Sequence, residues 1–361
     1  MGPDPIRVLI VDDSALMRRL ISDLIEAAPD FTVVGAARDG KEAIAMVEEL
    51  SPNVVTMDVE MPVMDGLAAL EQIMSRHPTP VVMLSSRTAH GADATLRSLE
   101  LGAVDFVCKP SGSISLNIAE VRSLLLGKLR LAASAHLMPP RSPAAKPHAF
   151  GAPMPRAGNA PADRLVVIAS STGGPRALEA IIPELPADLS AAVAVAQHMP
   201  AGFTRAMADR FRSFSDIDVR EAVDGDALLP GAALIAPGGR HMIIDHRRRV
   251  RITDDPPIWG VRPSADPLMT SAAEAYGSRC VGVILTGMGQ DGVRGMTAIH
   301  RAGGITIAQD EATCVVYGMP RAAVEQGSVD LVAPLPDIAR ILCRALSSVA
   351  AGQQRRPPRY A

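Results

Sequence analysis

Short apolar runs alternate with stretches of helical period along most of this chain. The runs Ile6–Val11, Phe31–Ala36, Asn53–Met57, Val81–Leu84 and Val104–Cys108 have the length and continuity of buried strands. Between them apolar positions recur every three or four residues. Leu16, Leu20, Leu24 and Ala27, for example, mark one face of a helix over Ala15–Ala27. Five strand–helix units of this kind predict an α/β fold with a doubly wound, five-stranded parallel sheet. The same style resumes with runs at Leu165–Ala169, Ala192–Ala196, Val281–Leu285 and Ile305–Ala308, around a strand-dense stretch between Ala232 and Thr253. A second doubly wound α/β block is predicted there.

Between the blocks the composition changes. Residues 134–163 hold Pro139, Pro140, Pro143, Pro147, Pro153, Pro155 and Pro161, and no acidic residue precedes Asp163. Proline removes backbone donors and blocks helix, so an extended, mobile linker is expected. The organisation read from the chain is thus a first block over 1–133, a linker over 134–163, a second block over 164–350 and a solvated tail over 351–361. A length of 361 residues suits two domains. Hydrophobic residues make up 48% and aromatics 3%, so the cores must be built from Ala, Val, Leu, Ile and Met. The net charge of −3 argues against a general nucleic-acid binder. No apolar run approaches a membrane span. Four scattered cysteines form no CxxC pair. A reduced, cytoplasmic protein is the expectation.

In a doubly wound sheet the ligand crevice lies at the carboxyl ends of the strands. In the first block those ends carry Asp12-Asp13, Asp58, Ser85 and Lys109-Pro110. Taken singly, an Asp-Asp pair before a helix is an ordinary cap and a Lys-Pro an ordinary turn. Together they place Asp12, Asp13 and Asp58 as hard oxygen ligands for Mg²⁺. Asp58 then becomes a carboxylate nucleophile able to accept a phosphoryl group. Lys109 offsets charge on the phosphoryl oxygens, and Ser85 is a hydrogen-bond donor to them.

These residues resemble a response-regulator receiver domain, through IRVLIVDDS at 6–14, MDVEMPVMDG at 57–66, LSS at 84–86 and DFVCKP at 105–110. The resemblance implies phosphorylation of Asp58 by a partner histidine kinase. It also places Phe106 as the aromatic whose rotation reports phosphorylation.

The second block offers a different chemistry. Leu165–Ala169 runs into Ser170-Ser171-Thr172-Gly173-Gly174-Pro175-Arg176 and then a helical pattern. A strand, a tight glycine turn and a helix can expose a serine near backbone N–H groups able to hold an oxyanion. Equally, such a turn can bind phosphate or simply cap a helix. His198 ends another apolar run, and Asp291 follows a third; alone, Asp291 would cap the helix after it. Serine, His198 and Asp291 can therefore converge in one crevice as nucleophile, base and orienting acid.

The motifs SSTGGP, QHMPAGFT, APGGRH, RPSADPLM and LTGMGQDGVRGM follow in order over about residues 164–350. They are similar to the catalytic domain of the chemotaxis protein-glutamate methylesterases. With the first block in front, the chain resembles the two-domain CheB family. The resemblance selects Ser171 as nucleophile over Ser170. It sets His198 and Asp291 beside it and places Thr172, Gly173 and Met288 around the oxyanion. It implies hydrolysis of glutamate γ-methyl esters on methylated chemoreceptors, together with glutamine deamidation. It further implies Mg²⁺ for the receiver alone and no cofactor for the esterase chemistry. The partners implied are a chemoreceptor and a kinase phosphodonor, with no nucleic acid and no membrane insertion. An unphosphorylated receiver that blocks the second crevice is the expected control.

Two positions depart from that family. Val261 precedes Arg262 where many members have histidine, and Ser170 stands where glycine is usual. The Trp259 loop reads equally as substrate-facing or as plain surface. The alternatives are a serine hydrolase for another acyl substrate and a non-enzymatic output such as nucleic-acid binding. The second block lacks a basic helix-turn-helix pattern, and His246-Arg247-Arg248-Arg249 reads as a charged hairpin turn.

Overall fold

The computed structural model describes residues 4–86, 88–109, 118–137 and 160–350. Most of the expected linker (138–159) and the tail (351–361) lie outside them. The chain divides into two units, residues 1–143 and 144–361.

The first unit alternates strand and helix: β1 (Ile6–Val11), α1 (Ala15–Glu26), β2 (Phe31–Ala37), α2 (Gly40–Leu50), β3 (Val54–Asp58), α3 (Gly66–Arg76), β4 (Val81–Ser85), α4 (Ala89–Glu100), β5 (Asp105–Cys108) and α5 (Ile118–Ala133). The strands pair in parallel in the order β2-β1-β3-β4-β5. Val8, Leu9, Ile10 and Val11 are fully buried, as expected when helices cover both faces of a sheet. Polar residues after the strands start the helices. Ser14, Asp39, Asp65 and Thr88 each accept a backbone N–H from the first turn of α1, α2, α3 and α4. β2 and β3 flank β1 on opposite sides, so the crevice opens where the chain reverses its direction across the sheet.

In the second unit, β6 (Arg164–Ser170) leads to α6 (Gly174–Ile181), β7 (Ala191–Gln197) and α7 (Phe203–Arg212). Four short strands follow: β8 (Asp218–Glu221), β9 (Ala232–Ile235), β10 (His241–Ile244) and β11 (Val250–Thr253). The chain continues through α8 (Ala265–Tyr276), β12 (Cys280–Ile284), α9 (Val293–Arg301), β13 (Ile305–Gln309), α10 (Met319–Glu325), β14 (Leu331–Ala333) and α11 (Leu335–Ala350). Seven strands form one parallel sheet in the order β14-β13-β12-β6-β7-β9-β8. β6 is thus flanked by β7 and by β12, and the reversal of strand order falls at its carboxyl end. Alanine-rich β7 is buried along its length, so small side chains let α8 and the sheet approach closely.

Three features differ from the sequence reading. Of the strand-dense stretch, β9 joins the main sheet while β10 and β11 form a separate antiparallel hairpin. The hairpin's turn is Asp245–Arg249, with Asp245 accepting the N–H groups of Arg247 and Arg249. Edge strand β8 (DVRE) carries one fully buried side chain, Val219, and is too polar to read as a strand. Edge strand β14 has three residues and no detectable period. Among the described residues no helix is long and apolar enough to cross a membrane.

Candidate functional site

Each unit carries a cluster at its switch point. In the first, single oxygens of Asp12, Asp13 and Asp58 lie within 4.8 Å of one another. Lys109, which follows β5, reaches them with its ammonium 2.6 Å from Asp58 Oδ2 and 2.8 Å from Asp12 Oδ2. Three carboxylates against one ammonium leave the cluster electronegative. Burial raises the Asp58 carboxyl, and the Asp12 charge adds to this, outweighing the opposite pull of Lys109. Asp12 is fully buried, with its Oδ2 against the Lys109 ammonium. An all-oxygen donor set of three carboxylates fits a hard divalent cation. The cleft above measures about 590 Å³ and is lined by Asp13, Asp58, Glu60, Met61, Ser86 and Lys109 among others.

One residue assigned to this cleft from sequence sits elsewhere. Ser85 is fully buried; its Oγ donates to Gly91 O at 3.1 Å and accepts from Thr95 Oγ1 at 2.6 Å. β4 extends through Ser85, and strand alternation turns that side chain toward α4, which leaves Ser86 on the cleft. Phe106 is buried on β5, with the Lys128 ammonium 5.1 Å from its ring centroid.

In the second unit, β6 and β7 are in register through Ser170 opposite Gln197. Ser171 and His198 therefore leave adjacent strands at the same level, and His198 N–H donates to Ser170 O at 3.1 Å. Adjacent strands lie about 4.8 Å apart, within side-chain reach. The His198 ring bonds Asp291 through Nε2 at 2.7 Å, leaving Nδ1 as the nitrogen available to a hydroxyl. Asp291 is almost completely buried. Burial alone would raise its carboxyl, but the bonds from His198, Ser264 and Ala265 prevail and hold it below the usual carboxylate range.

Asp291 does not cap α9, the role its position suggests. The α9 cap is Gly292, and the Asp291 carboxylate instead serves α8. Oδ1 accepts from Ser264 Oγ at 2.6 Å and Asp266 N at 3.1 Å, and Oδ2 accepts from Ala265 N at 2.6 Å. The positive end of the α8 dipole adds to this stabilisation. Asp266 returns the arrangement: from α8 it accepts the Gly295 N–H of α9 at 3.0 Å. The two helices thus cap each other and fix the carboxylate that faces His198. Ser264 and Asp266 lie in the RPSADPLM motif, yet a role for them needs the α8–α9 packing, which sequence spacing does not reveal.

Gln197 is the other residue missed. Its Nε2 donates to Ser171 O at 3.0 Å and His198 O at 3.2 Å, and its Oε1 accepts from Ser170 Oγ at 2.6 Å. One buried amide therefore ties together the two strand ends. It also absorbs the hydroxyl of Ser170, the residue that replaces glycine. Gly174 leaves room for it, since a Cβ there would fall 2.1 Å from Gln197 Oε1. We expect Gly174→Ala to cost about 1–3 kcal/mol by overpacking. It should also slow any Ser171 chemistry by displacing the turn. A thermal melt alongside a rate assay checks this, and a melt equal to wild type would contradict it.

The residues named for the oxyanion stand around this turn. Gly173 (φ +76°) caps α6 without a side-chain bond, and the Thr172 carbonyl is held by Thr286 Oγ1 at 3.0 Å. Gly287 lies against Ser171, where a Cβ would meet Ser171 Cβ at 2.6 Å, and it brings exposed Met288 beside the serine. Serine, imidazole, buried carboxylate and a helix N-terminus together can perform nucleophilic acyl transfer.

Comparison with known proteins gives the same division of the chain. Residues 166–342 match the CheB methylesterase family and residues 8–119 the response regulator receiver domain. A protein-glutamate methylesterase/protein-glutamine glutaminase of Symbiobacterium thermophilum is 51% identical over 95% of this chain and 97% of its own. One from Pyrococcus horikoshii is 46% identical over 96% of this chain and 95% of its own. Among solved structures, the CheB methylesterase catalytic domain of Thermotoga maritima is similar at 44% identity. It covers 50% of this chain and 97% of its own, with a TM-score of 0.49.

Proposed function

Because the chain belongs to the CheB methylesterase family, with a response regulator receiver domain ahead of its esterase domain, we propose that it hydrolyses glutamate γ-methyl esters on chemoreceptors and deamidates glutamines there. The observation that carries this reading is the His198–Asp291 bond set beside Ser171 at the ends of β6, β7 and β12. Ser171 Oγ attacks the ester carbonyl while His198 Nδ1 takes its proton. Asp291 stabilises the imidazolium through Nε2. Backbone amides near Thr172, Gly173 and Met288 hold the oxyanion. The C–O bond breaks, methanol leaves with the proton from His198, and water then hydrolyses the acyl-enzyme to glutamate. For glutamine the leaving group is ammonia and the acyl-enzyme is the same. The assay for this reading is methanol release from a methyl-esterified receptor preparation.

Control falls to the first unit. Asp58 accepts a phosphoryl group from a histidine kinase, and the P–N bond of the donor breaks as the acyl phosphate forms. Asp12, Asp13 and Asp58 would hold Mg²⁺, which when bound neutralises phosphoryl-oxygen charge. Lys109 supports the same oxygens. Ser86, which lines the cleft, can donate to the new phosphoryl group, and the rearrangement this imposes on the end of β4, with movement of Phe106, carries the signal. Phosphorylation shifts the protein toward a state in which the esterase crevice is open to substrate.

Asp58→Asn is expected to retain basal methanol release and lose its stimulation by a small-molecule phosphodonor. We expect that stimulation to be on the order of tenfold, equivalent to about 1.4 kcal/mol on a two-state equilibrium. Stimulation that survives in Asp58→Asn would remove Asp58 from the control.

A further inference from the structure

A groove of about 420 Å³ runs along α9, lined by Trp259, Val293, Arg294, Thr297, Arg301 and Gln326 among others, with no acidic side chain. Val293, Thr297 and Arg301 recur every fourth residue and so share one helix face. That face is about 12 Å long at 1.5 Å per residue, and it begins two residues beyond Asp291.

Trp259 forms its rim. The residue is 54% exposed and has φ +54°, a conformation that bulky side chains rarely adopt. It is held there from two sides. Its indole Nε1 donates to Asp266 Oδ2 at 3.1 Å, and the Arg294 guanidinium lies 5.6 Å from its ring centroid. Asp266 also binds Arg294 at 3.0 Å and donates its own N–H to Asp291. The large apolar ring is therefore fixed in solvent by the same residue whose backbone N–H supports Asp291. Arg301 is exposed at the far end, and among the described residues its side chain makes no ion pair or hydrogen bond.

We propose that this groove docks an acidic helical segment of the substrate protein, the segment that bears the glutamyl ester. The proposal rests on the esterase reading above. Each turnover of ester or glutamine leaves a carboxylate, so a segment with several such positions becomes acidic as it is processed. A carboxylate two helical turns from the reacting one lies about 11 Å away, close to the length of the α9 face. Arg301 supplies an unneutralised cation for it, and Trp259 covers the apolar side of the docked helix. Charge and shape here favour a protein segment over a small ester.

Trp259 is the only tryptophan in the chain, so its emission reports the groove without background. A synthetic acidic helical peptide carrying one glutamate γ-methyl ester would be titrated into full-length Ser171→Ala, which cannot turn it over. A saturable emission change is expected, with its midpoint raised about tenfold by adding Arg301→Glu and by salt. In proteins with Ser171 intact, Arg301→Glu should lower the ratio of peptide-ester to small-ester kcat/KM by about tenfold, through the peptide KM. Arg301→Lys should restore most of it. An unchanged peptide KM in Arg301→Glu, with hydrolysis intact, would overturn the groove and leave the esterase reading standing. Failure of the wild type to hydrolyse either ester would overturn the esterase reading, and the docking proposal with it. Emission that responds to phosphodonor and Mg²⁺ but not to the peptide would assign the groove to another part of this chain and overturn the proposal.

Discussion

Ser171→Ala is expected to lower methanol release at saturating ester by about 10⁵- to 10⁶-fold, the scale found when a triad serine is removed. Without Oγ no acyl-enzyme can form, and only the oxyanion amides and substrate positioning remain to favour attack by water. The fold should survive, since Ser171 is half-buried and alanine fits the same turn. The informative control is Ser170→Ala. Ser170 is fully buried, with Oγ committed to Gln197 Oε1, so its loss should cost less than about tenfold in rate. Methanol release by the two variants, with matched melting curves, separates the chemistry from the packing. A large loss in Ser170→Ala with little in Ser171→Ala would assign the nucleophile to the wrong serine.

The second large effect concerns Asp291→Asn. Four donors converge on the two oxygens of Asp291, and each oxygen receives one backbone N–H, from Asp266 on Oδ1 and from Ala265 on Oδ2. An asparagine NH₂ must therefore face a backbone donor in either orientation. Facing Asp266 N is the lesser cost, because Ser264 can rotate its hydroxyl to accept while the remaining carbonyl keeps His198 Nε2. The tautomer then survives, but the charge that stabilises the imidazolium is gone. We expect kcat to fall about 10³- to 10⁴-fold.

Stability should fall as well, by about 1–3 kcal/mol for the unpaired buried donor. The sign with pH follows from the lowered carboxyl. The wild-type advantage is fully present above the ordinary carboxylate value near pH 4, and it disappears as pH falls through the lower folded value. Urea melts of both proteins at neutral and at strongly acidic pH check this. A gap that widens on acidification would contradict the assigned ionisation.

How much of this was legible in the sequence depended on which physics a residue obeys. β1 is visible as Ile6–Val11 because a strand covered on both faces is apolar throughout. The strand-end residues Asp58, Ser171 and His198 were found by one rule, that parallel sheets place ligands at their carboxyl ends. Asp291 was located by the same rule, while its bonds were not. Local reading makes it a cap for α9, whereas the carboxylate crosses to α8. Gln197 and Asp266 escaped for the same reason: their partners are distant in sequence, and nothing in their spacing marks them. One residue of strand length decides whether the hydroxyl of Ser85 or that of Ser86 faces the cleft. The edge strands β8 and β14 were lost because an edge needs little hydrophobicity to pair.

The proposed function joins a phosphate-accepting unit to a serine hydrolase acting on a receptor ester, and methanol release tests both ends at once. Full-length protein would be mixed with a methyl-esterified chemoreceptor preparation, with and without Mg²⁺ and a small-molecule phosphodonor. The expected result is slow release that rises with the phosphodonor and stops in Ser171→Ala. No methanol from folded, phosphorylated protein would contradict the account and leave a hydrolase whose acyl substrate lies elsewhere.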